Sequence, residues 1–148
     1  MNQDIHFVFT LDNSYVQHLA VVISSILQNC SAEYTITLHI LGDKITSTNK
    51  RRIAELKSIR DFTIQYYPIN QDLFRNAMPD PSKFLDHVNY STHYRYLVAK
   101  LLPTTLEKVI YLDADLVVIR DISKLWQIDI DGYYCGAVEE AFTHEQRS

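Results

Sequence analysis

The first 67 residues alternate between short β-rich apolar runs and segments of helical period, and that alternation restricts the fold more than any other feature of the chain. Ile5 to Leu11 is a β-rich run broken by Asp12-Asn13-Ser14. Tyr15 to Asn29 then places Val16, Leu19, Ala20, Ile23, Ile26 and Leu27 at the spacing of one helical face, with Ser14 and Gln17 in the form of a capping box. Tyr34 to Leu41 reads as a second strand ended by Gly42-Asp43. Thr46 to Ile59 reads as a second helix, with Ile53, Leu56 and Ile59 inward and the basic run Lys50-Arg51-Arg52 in solvent. Phe62 to Tyr67 reads as a third strand, stopped by Pro68. Strand, helix, strand, helix, strand implies right-handed crossovers, hence a mainly parallel α/β sheet with helices on both faces.

Beyond Pro68, an irregular polar stretch with Pro79 and Pro81 runs to about Lys83, longer than a minimal connection and suited to a functional loop or lid. Ser91-Thr92 starts a third helix that ends at Leu102, before Pro103. Val109 to Ile119 reads as a strand, Ile122 to Trp126 as a short helical turn and Tyr133 to Val138 as a last strand. At 148 residues, the chain reads as one domain over 1–148. No run has transmembrane length and the start lacks a signal-type apolar region, which implies a cytoplasmic protein. The net charge of -4 supplies no overall basic field, which argues against nucleic acid as a partner. Cys30 and Cys135 belong to no metal or redox motif and read as buried structural thiols.

In a parallel sheet of this kind, ligands bind at the carboxyl ends of the strands, near the point where strand order reverses. Thr10 to Tyr15 and Asp113 to Asp115 are the two stretches that end strands with polar residues. With only three glycines, the chain has no P-loop and no G-x-G-x-x-G turn to cradle a phosphate. A nucleotide diphosphate would therefore need another source of positive charge. Asp113 and Asp115, two apart with Ala114 between them, would face the same side of a strand and hold one hard cation such as Mg²⁺ or Mn²⁺. Twelve aspartates in 148 residues make about one D-x-D an expectation of composition alone. Asp129-Ile130-Asp131 is indeed a second, read as a polar turn before Gly132. Only the apolar surroundings distinguish the first pair, for which the plainer reading is strand-end carboxylates capping a turn. Plain readings also exist for Asp12 as an N-cap, Tyr15 as helix-start packing and Arg95 as a surface arginine. Among six histidines, His6 and His39 lie in strands and read as satisfied core or edge residues, whereas His87 and His93 flank the proline-containing loop. Trp126 reads as a core anchor.

Three segments, V-F-T-L-D-N-S-Y near the start, H-Y-R-Y-L-V-A-K-L-L-P in the middle and Y-L-D-A-D-L-V-V-I-R-D-I-S-K-L-W after it, resemble glycosyltransferase family 8. That family includes glycogenin and bacterial lipopolysaccharide galactosyl- and glucosyltransferases. The resemblance implies a GT-A-like, Rossmann-like nucleotide-binding sheet, a UDP-sugar donor, a Mn²⁺ (or Mg²⁺) ion and transfer with retention to a glycan or lipopolysaccharide acceptor, at the inner face of the membrane. By position it makes Asp113 and Asp115 metal ligands. Thr10, Leu11, Asp12, Asn13, Ser14 and Tyr15 become the nucleotide pocket, with Asp12 on the uracil edge and Tyr15 on its face. Arg95 becomes the arginine that reaches the donor, a role its fork of donors suits.

The chain has about half the family's expected length. The resemblance implies that a third metal ligand, a histidine in an H-x-x-G segment, and the acceptor-binding part are absent. His144 lacks that context. Uncovered apolar surface in such a half would favour a homo-oligomer. Two other classes fit parts of the pattern. One is a haloacid-dehalogenase-type phosphatase, whose aspartate-bearing strand normally opens the fold, although only 33 residues follow Asp115 here. The other is a non-catalytic module that binds a nucleotide or partner through a degenerate site.

Overall fold

A computed structural model describes residues 3–69 and 94–138. The elements among them are β1 (Gln3–Asp12), a 3-10 turn (Asn13–Tyr15), α1 (Val16–Gln28), β2 (Tyr34–Asp43) and α2 (Ser47–Glu55), which runs into a 3-10 turn (Leu56–Ser58). After β3 (Thr63–Pro68) come a 3-10 turn (Tyr94–Leu97), α3 (Val98–Leu101), β4 (Ile110–Tyr111) and α4 (Ser123–Trp126). The four strands form one sheet in the order β3-β2-β1-β4, parallel at every pairing. Successive strands step one way from β1 to β3, and β4 then lands on the other side of β1. The switch point that draws ligands to this class of sheet thus lies between the carboxyl ends of β1 and β4.

β1 is central because it is apolar on both faces at mid-strand. Ile5, Phe7, Phe9 and Leu11 are fully buried beneath α1, opposite Ile36, Leu38 and Ile40 of β2, and α1 contributes Leu19, Val22, Ile23 and Ile26 to this core. Val8, on the other face, packs with Leu41, Ile69, Tyr94 and Leu97, so the 94–101 helical segment covers that side. Helices therefore sit on both faces, as the sequence pattern implies.

The second face also carries a polar line that runs from exposed to buried positions. Thr35 and Thr37 donate to the two Asp4 carboxylate oxygens at 3.2 and 2.9 Å, His6 Nδ1 meets His39 Nε2 at 3.0 Å, and His39 Nδ1 meets the Tyr67 hydroxyl at 2.9 Å. The Tyr67 hydroxyl donates to Gln65 Oε1 at 2.6 Å, which leaves His39 Nδ1–H as the donor to Tyr67 and His39 Nε2 as the acceptor from His6. Burial, then the nearby His6, lowers the His39 pKa to about 4, against an upward pull from Asp4. Both histidines are thus satisfied residues of the sheet, in line with the sequence reading.

Several boundaries differ from the sequence reading. The Ser14–Gln17 capping box does not form; Asp12 caps the 3-10 turn instead, its carboxylate accepting the Ser14 N–H at 2.8 Å. Thr46 does cap α2, accepting from the Asn49 N–H. The run 109–119 contributes only Ile110 and Tyr111 to the sheet. The chain turns at Ala114-Asp115 and Val118 lies against α1, its N–H donating to Ser25 Oγ at 3.0 Å and its carbonyl accepting from Asn29 Nδ2 at 3.1 Å. Leu116 and Val118 pack against the main core whereas Val117 and Ile119 are exposed, an alternation that gives the same signature as a strand. Tyr133–Val138 forms no strand: it has no ladder partner among the described residues, and Tyr133, Tyr134 and Val138 are exposed. Asp121 accepts from the N–H groups of Ser31 and Ser123 and from the Ser123 hydroxyl, which holds its carboxyl below the usual range, and it pins the start of α4 to the loop after α1. Trp126 packs against the main core, as expected of an anchor. Cys30 is buried, but Cys135 is exposed, which corrects the reading of both as core thiols. The expected loop up to Lys83, the start of the third helix, and His87, His93 and His144 lie outside the described residues. No helix among the described residues is long and apolar enough to cross a membrane.

Candidate functional site

The site is built from the segments at and just beyond the carboxyl ends of β1 and β4. Thr10 lies near the end of β1 on the second side of the sheet, and its hydroxyl lies 2.8 Å from that of Tyr111, which pairs in register with Val8. Leu11, one residue on, turns into the main core and is only 2% exposed, so its backbone alone faces the site. The backbone there is closely packed: a Cβ on Gly42 would stand 2.7 Å from the Leu11 carbonyl oxygen and 2.7 Å from Ile45 Cδ1.

Asp12 and Asn13 are both committed to local structure. Asp12 caps the turn as described, and Asn13 Oδ1 accepts from the Thr46 N–H and from Asn49 Nδ2, each at 2.9 Å, which ties the end of β1 to the start of α2. Ser14 is exposed and bonds back to Asp12. Tyr15 is 42% exposed beside His18, ring centroids 5.3 Å apart and tilted by 54°. An exposed tyrosine face at a strand's carboxyl end can stack on a planar base.

Opposite this turn, the 3-10 segment buries Tyr94 and Leu97 and leaves Arg95 and Tyr96 outward, the consequence of a three-residue period. Arg95 Nη2 lies 4.0 Å from Asp113 Oδ1, and its guanidinium carbon is 5.7 Å from the centre of the Tyr111 ring. Leu112 extends the β4 ladder by donating to the Val8 carbonyl at 3.1 Å. Ala114 is buried, so Asp113 and Asp115 on either side of it are exposed. The carboxylates therefore do not occupy a buried strand; they sit in solvent at its end, where their ionisation needs no compensation beyond water and Arg95. Two exposed carboxylates with no third His, Cys, Asp or Glu gathered beside them among the described residues suit a hard cation that takes the rest of its shell from water and phosphate oxygens.

Tyr111 was not singled out by the sequence reading, although it stands two residues before Asp113 on the same side of the strand. Its hydroxyl pKa is raised, first by burial; Thr10 and Arg95 pull it down, whereas the Asp113 charge adds to the rise. The structure thus brings Thr10, Arg95, Asp113 and Tyr111 together. Because the aspartate pair follows the fourth strand of the sheet and not its first, the phosphatase arrangement is not met.

Known proteins share this architecture. The galactosyltransferase LgtC, solved in complex with donor and acceptor sugar analogs, superposes with a TM-score of 0.68 at 24% identity, over 84% of this chain and 43% of LgtC. Apo GlyE from Streptococcus pneumoniae TIGR4 gives 0.67 at 18% identity, over 97% of this chain and 31% of GlyE. The fold is the GT-A fold of these enzymes. In sequence, the chain is 30% identical over 142 residues to "General stress protein A" of Bacillus subtilis (strain 168), covering 95% of this chain and 48% of that protein. It is 31% identical over 141 residues to a "Putative glycosyltransferase" of Haemophilus influenzae, covering 95% of this chain and 41% of that protein. The chain thus spans less than half the length of these relatives. With the profile of glycosyl transferase family 8 matching residues 6–148, the chain belongs to that family.

Proposed function

We propose that this chain carries the donor-binding site of a metal-dependent, retaining hexosyltransferase that uses a UDP-sugar, UDP-galactose or UDP-glucose, in the synthesis of lipopolysaccharide or another surface glycan. The observation that supports this reading best is the meeting of Arg95 with Asp113 at 4.0 Å, beside Thr10 and Tyr111, at the switch point of a parallel sheet. Asp113 and Asp115 would hold Mn²⁺ or Mg²⁺, which when bound supplies Lewis-acid stabilisation of the departing diphosphate.

The chain's own residues have separable tasks. Arg95 offers planar, charged donors to diphosphate oxygens and donor hydroxyls, and stabilises the negative charge that builds on UDP as the sugar departs. Tyr15 offers a ring face to the base, and Asp12 an acceptor edge to the uracil N–H. Asn13 and Gly42 keep the turn that bears both at a fixed distance from α2. Retention, the sugar and the acceptor rest on the family resemblance alone.

The test is Mn²⁺-dependent release of UDP from UDP-galactose and UDP-glucose, run beside hydrolysis of p-nitrophenyl phosphate. UDP release lost in Asp113→Asn with no phosphoester hydrolysis supports a transferase-type donor site. UDP binding with no turnover would favour the non-catalytic module.

A further inference from the structure

Charge is distributed very unevenly along this chain. The 17 residues from 44 to 60 hold six of its 14 lysines and arginines but one of its 18 aspartates and glutamates, which leaves eight cations against 17 carboxylates in the other 131 residues. That basic segment is α2 with its flanking turns. α2 buries Ile53 alone, and Lys44, Lys50, Arg51, Arg52 and Lys57 are all exposed. Arg60 is set apart, tied to the carbonyls of Cys30, Ser31 and Tyr34. Lys50 Nζ lies 4.6 Å from the centre of the Tyr66 ring and Lys57 Nζ 5.7 Å from that of Phe62, so these two line the side of the segment next to β3. Lys44 and Lys57 are partly neutralised by Asp43 and Asp61, at 3.7 and 3.3 Å, whereas Lys50, Arg51 and Arg52 form no ion pair among the described residues. The same helix is joined to the donor turn, because the Thr46 N–H and Asn49 Nδ2 both donate to Asn13 Oδ1 at 2.9 Å.

We propose that the basic surface of α2 docks the protein on a bilayer of anionic phospholipid, with the donor turn beside the contact. A positive strip on an otherwise acidic molecule favours one orientation at a negative plane, α2 toward it and the remainder away. A polyanion that wraps the protein would meet the acidic remainder as well, but a flat headgroup layer meets only the strip. Ile59 is the one large apolar side chain exposed in the segment, so the attraction is electrostatic, without an inserted apolar face, and falls with salt. The use of such docking rests on the donor-site reading given under the proposed function: an acceptor glycan carried on lipid lies in that plane, and α2 brings the donor turn to it through Asn13.

The experiment is co-sedimentation of the purified chain with vesicles of phosphatidylcholine alone and of phosphatidylcholine with phosphatidylglycerol at about 2:1, at about 0.05 and 0.5 M NaCl. Two triple variants with the same change in net charge are compared. One is Lys50→Gln, Arg51→Gln, Lys57→Gln on the strip; the other is Lys100→Gln, Arg120→Gln, Lys124→Gln, exposed cations elsewhere. Arg52 is left in place because it donates to Asn49 Oδ1 at 3.3 Å. Thermal melts and UDP titrations in Mn²⁺ run alongside. Wild type is expected to bind the anionic vesicles at low salt only. The strip variant is expected to bind them at least tenfold more weakly, each lost cation being worth roughly fivefold, with melting temperature and UDP affinity unchanged. The second variant is expected to stay within about threefold of wild type. Equal losses in the two variants would reduce the effect to overall charge and overturn the proposal, as would equal binding to neutral vesicles or no binding to anionic ones. Competition between UDP and vesicles would put the headgroup in the donor site and overturn it too, as would strip-dependent binding to a DNA oligonucleotide tighter than to vesicles. A chain that docks through the strip yet binds no UDP would keep the docking surface and remove the donor-site reading.

Discussion

Arg95 Nη2 stands 4.0 Å from Asp113 Oδ1, an ion pair in which both side chains are about half exposed, at 44% and 61%. A pair so open to water contributes only about 0–1 kcal/mol to the fold. Arg95→Ala is therefore expected to leave the melting temperature within a few degrees of wild type while weakening UDP binding in Mn²⁺ by roughly tenfold, the worth of one charged hydrogen bond. Parallel melts and calorimetry check the split. Arg95→Lys is expected to recover only part of the loss, because an ammonium lacks the fork.

Ser25 links the carboxylate turn to α1. Its hydroxyl donates to the Val22 carbonyl at 2.7 Å and accepts the Val118 N–H at 3.0 Å, in a buried setting. Ser25→Ala leaves that N–H without a partner and is expected to cost about 1–3 kcal/mol in denaturant unfolding. The same change loosens the segment just after Asp115, so metal-dependent UDP affinity is expected to fall as well, which calorimetry at a temperature well below the melt would read.

Gly42 closes the carboxyl end of β2 against β1. An added Cβ would meet a backbone carbonyl, that of Leu11, at 2.7 Å, and backbone cannot step aside as a side-chain tip can. Gly42→Ala is expected to destabilise the protein by about 1–3 kcal/mol, measured by chemical denaturation. Because Leu11 precedes the Asp12–Tyr15 turn, the variant is also expected to weaken UDP binding in the absence of metal.

The sequence carried the first three strands and two helices to within a few residues, because each has a core face repeating at its own period: Ile5, Phe7, Phe9 and Leu11 by twos, Leu19, Ile23 and Ile26 by threes and fours. It also located the switch-point residues, since strands that end in Thr10-Leu11-Asp12 or Asp113-Ala114-Asp115 leave polar groups where the sheet stops. What it could not show is which apolar runs pair. Leu116 to Ile119 is as hydrophobic as a strand, yet Val118 satisfies its backbone with Ser25 and Asn29 of the α1 region, and no local pattern reveals a partner about ninety residues away. Tyr111 was passed over for the same reason: its hydroxyl meets that of Thr10, which is distant in sequence and adjacent in the sheet.

His39 gives the fold an acid sensitivity of known sign. Its folded-state pKa, lowered from 6.5 to about 4 chiefly by burial, means that the unfolded chain takes up a proton here that the folded chain refuses. The contribution is complete above pH 6.5, declines as pH falls toward 4 and changes no further below that. His6, Asp4 and Tyr67 are the titratable groups that face it. Unfolding free energies of wild type and His39→Gln, subtracted at each pH between 7 and 4, are expected to converge as pH falls; a difference independent of pH contradicts the account.

The central claim is that Asp113 and Asp115 bind a divalent cation on which UDP recognition depends. The measurement that tests it most directly is calorimetric titration of UDP into the purified chain with and without Mn²⁺, beside the Asp113→Asn, Asp115→Asn double variant. The account expects binding that is strengthened at least tenfold by Mn²⁺ in wild type, the scale of one or more added charge-assisted contacts, and that loses this gain in the double variant. Equal UDP affinity with and without Mn²⁺ in folded wild-type protein, or an undiminished metal effect in the double variant, would contradict it.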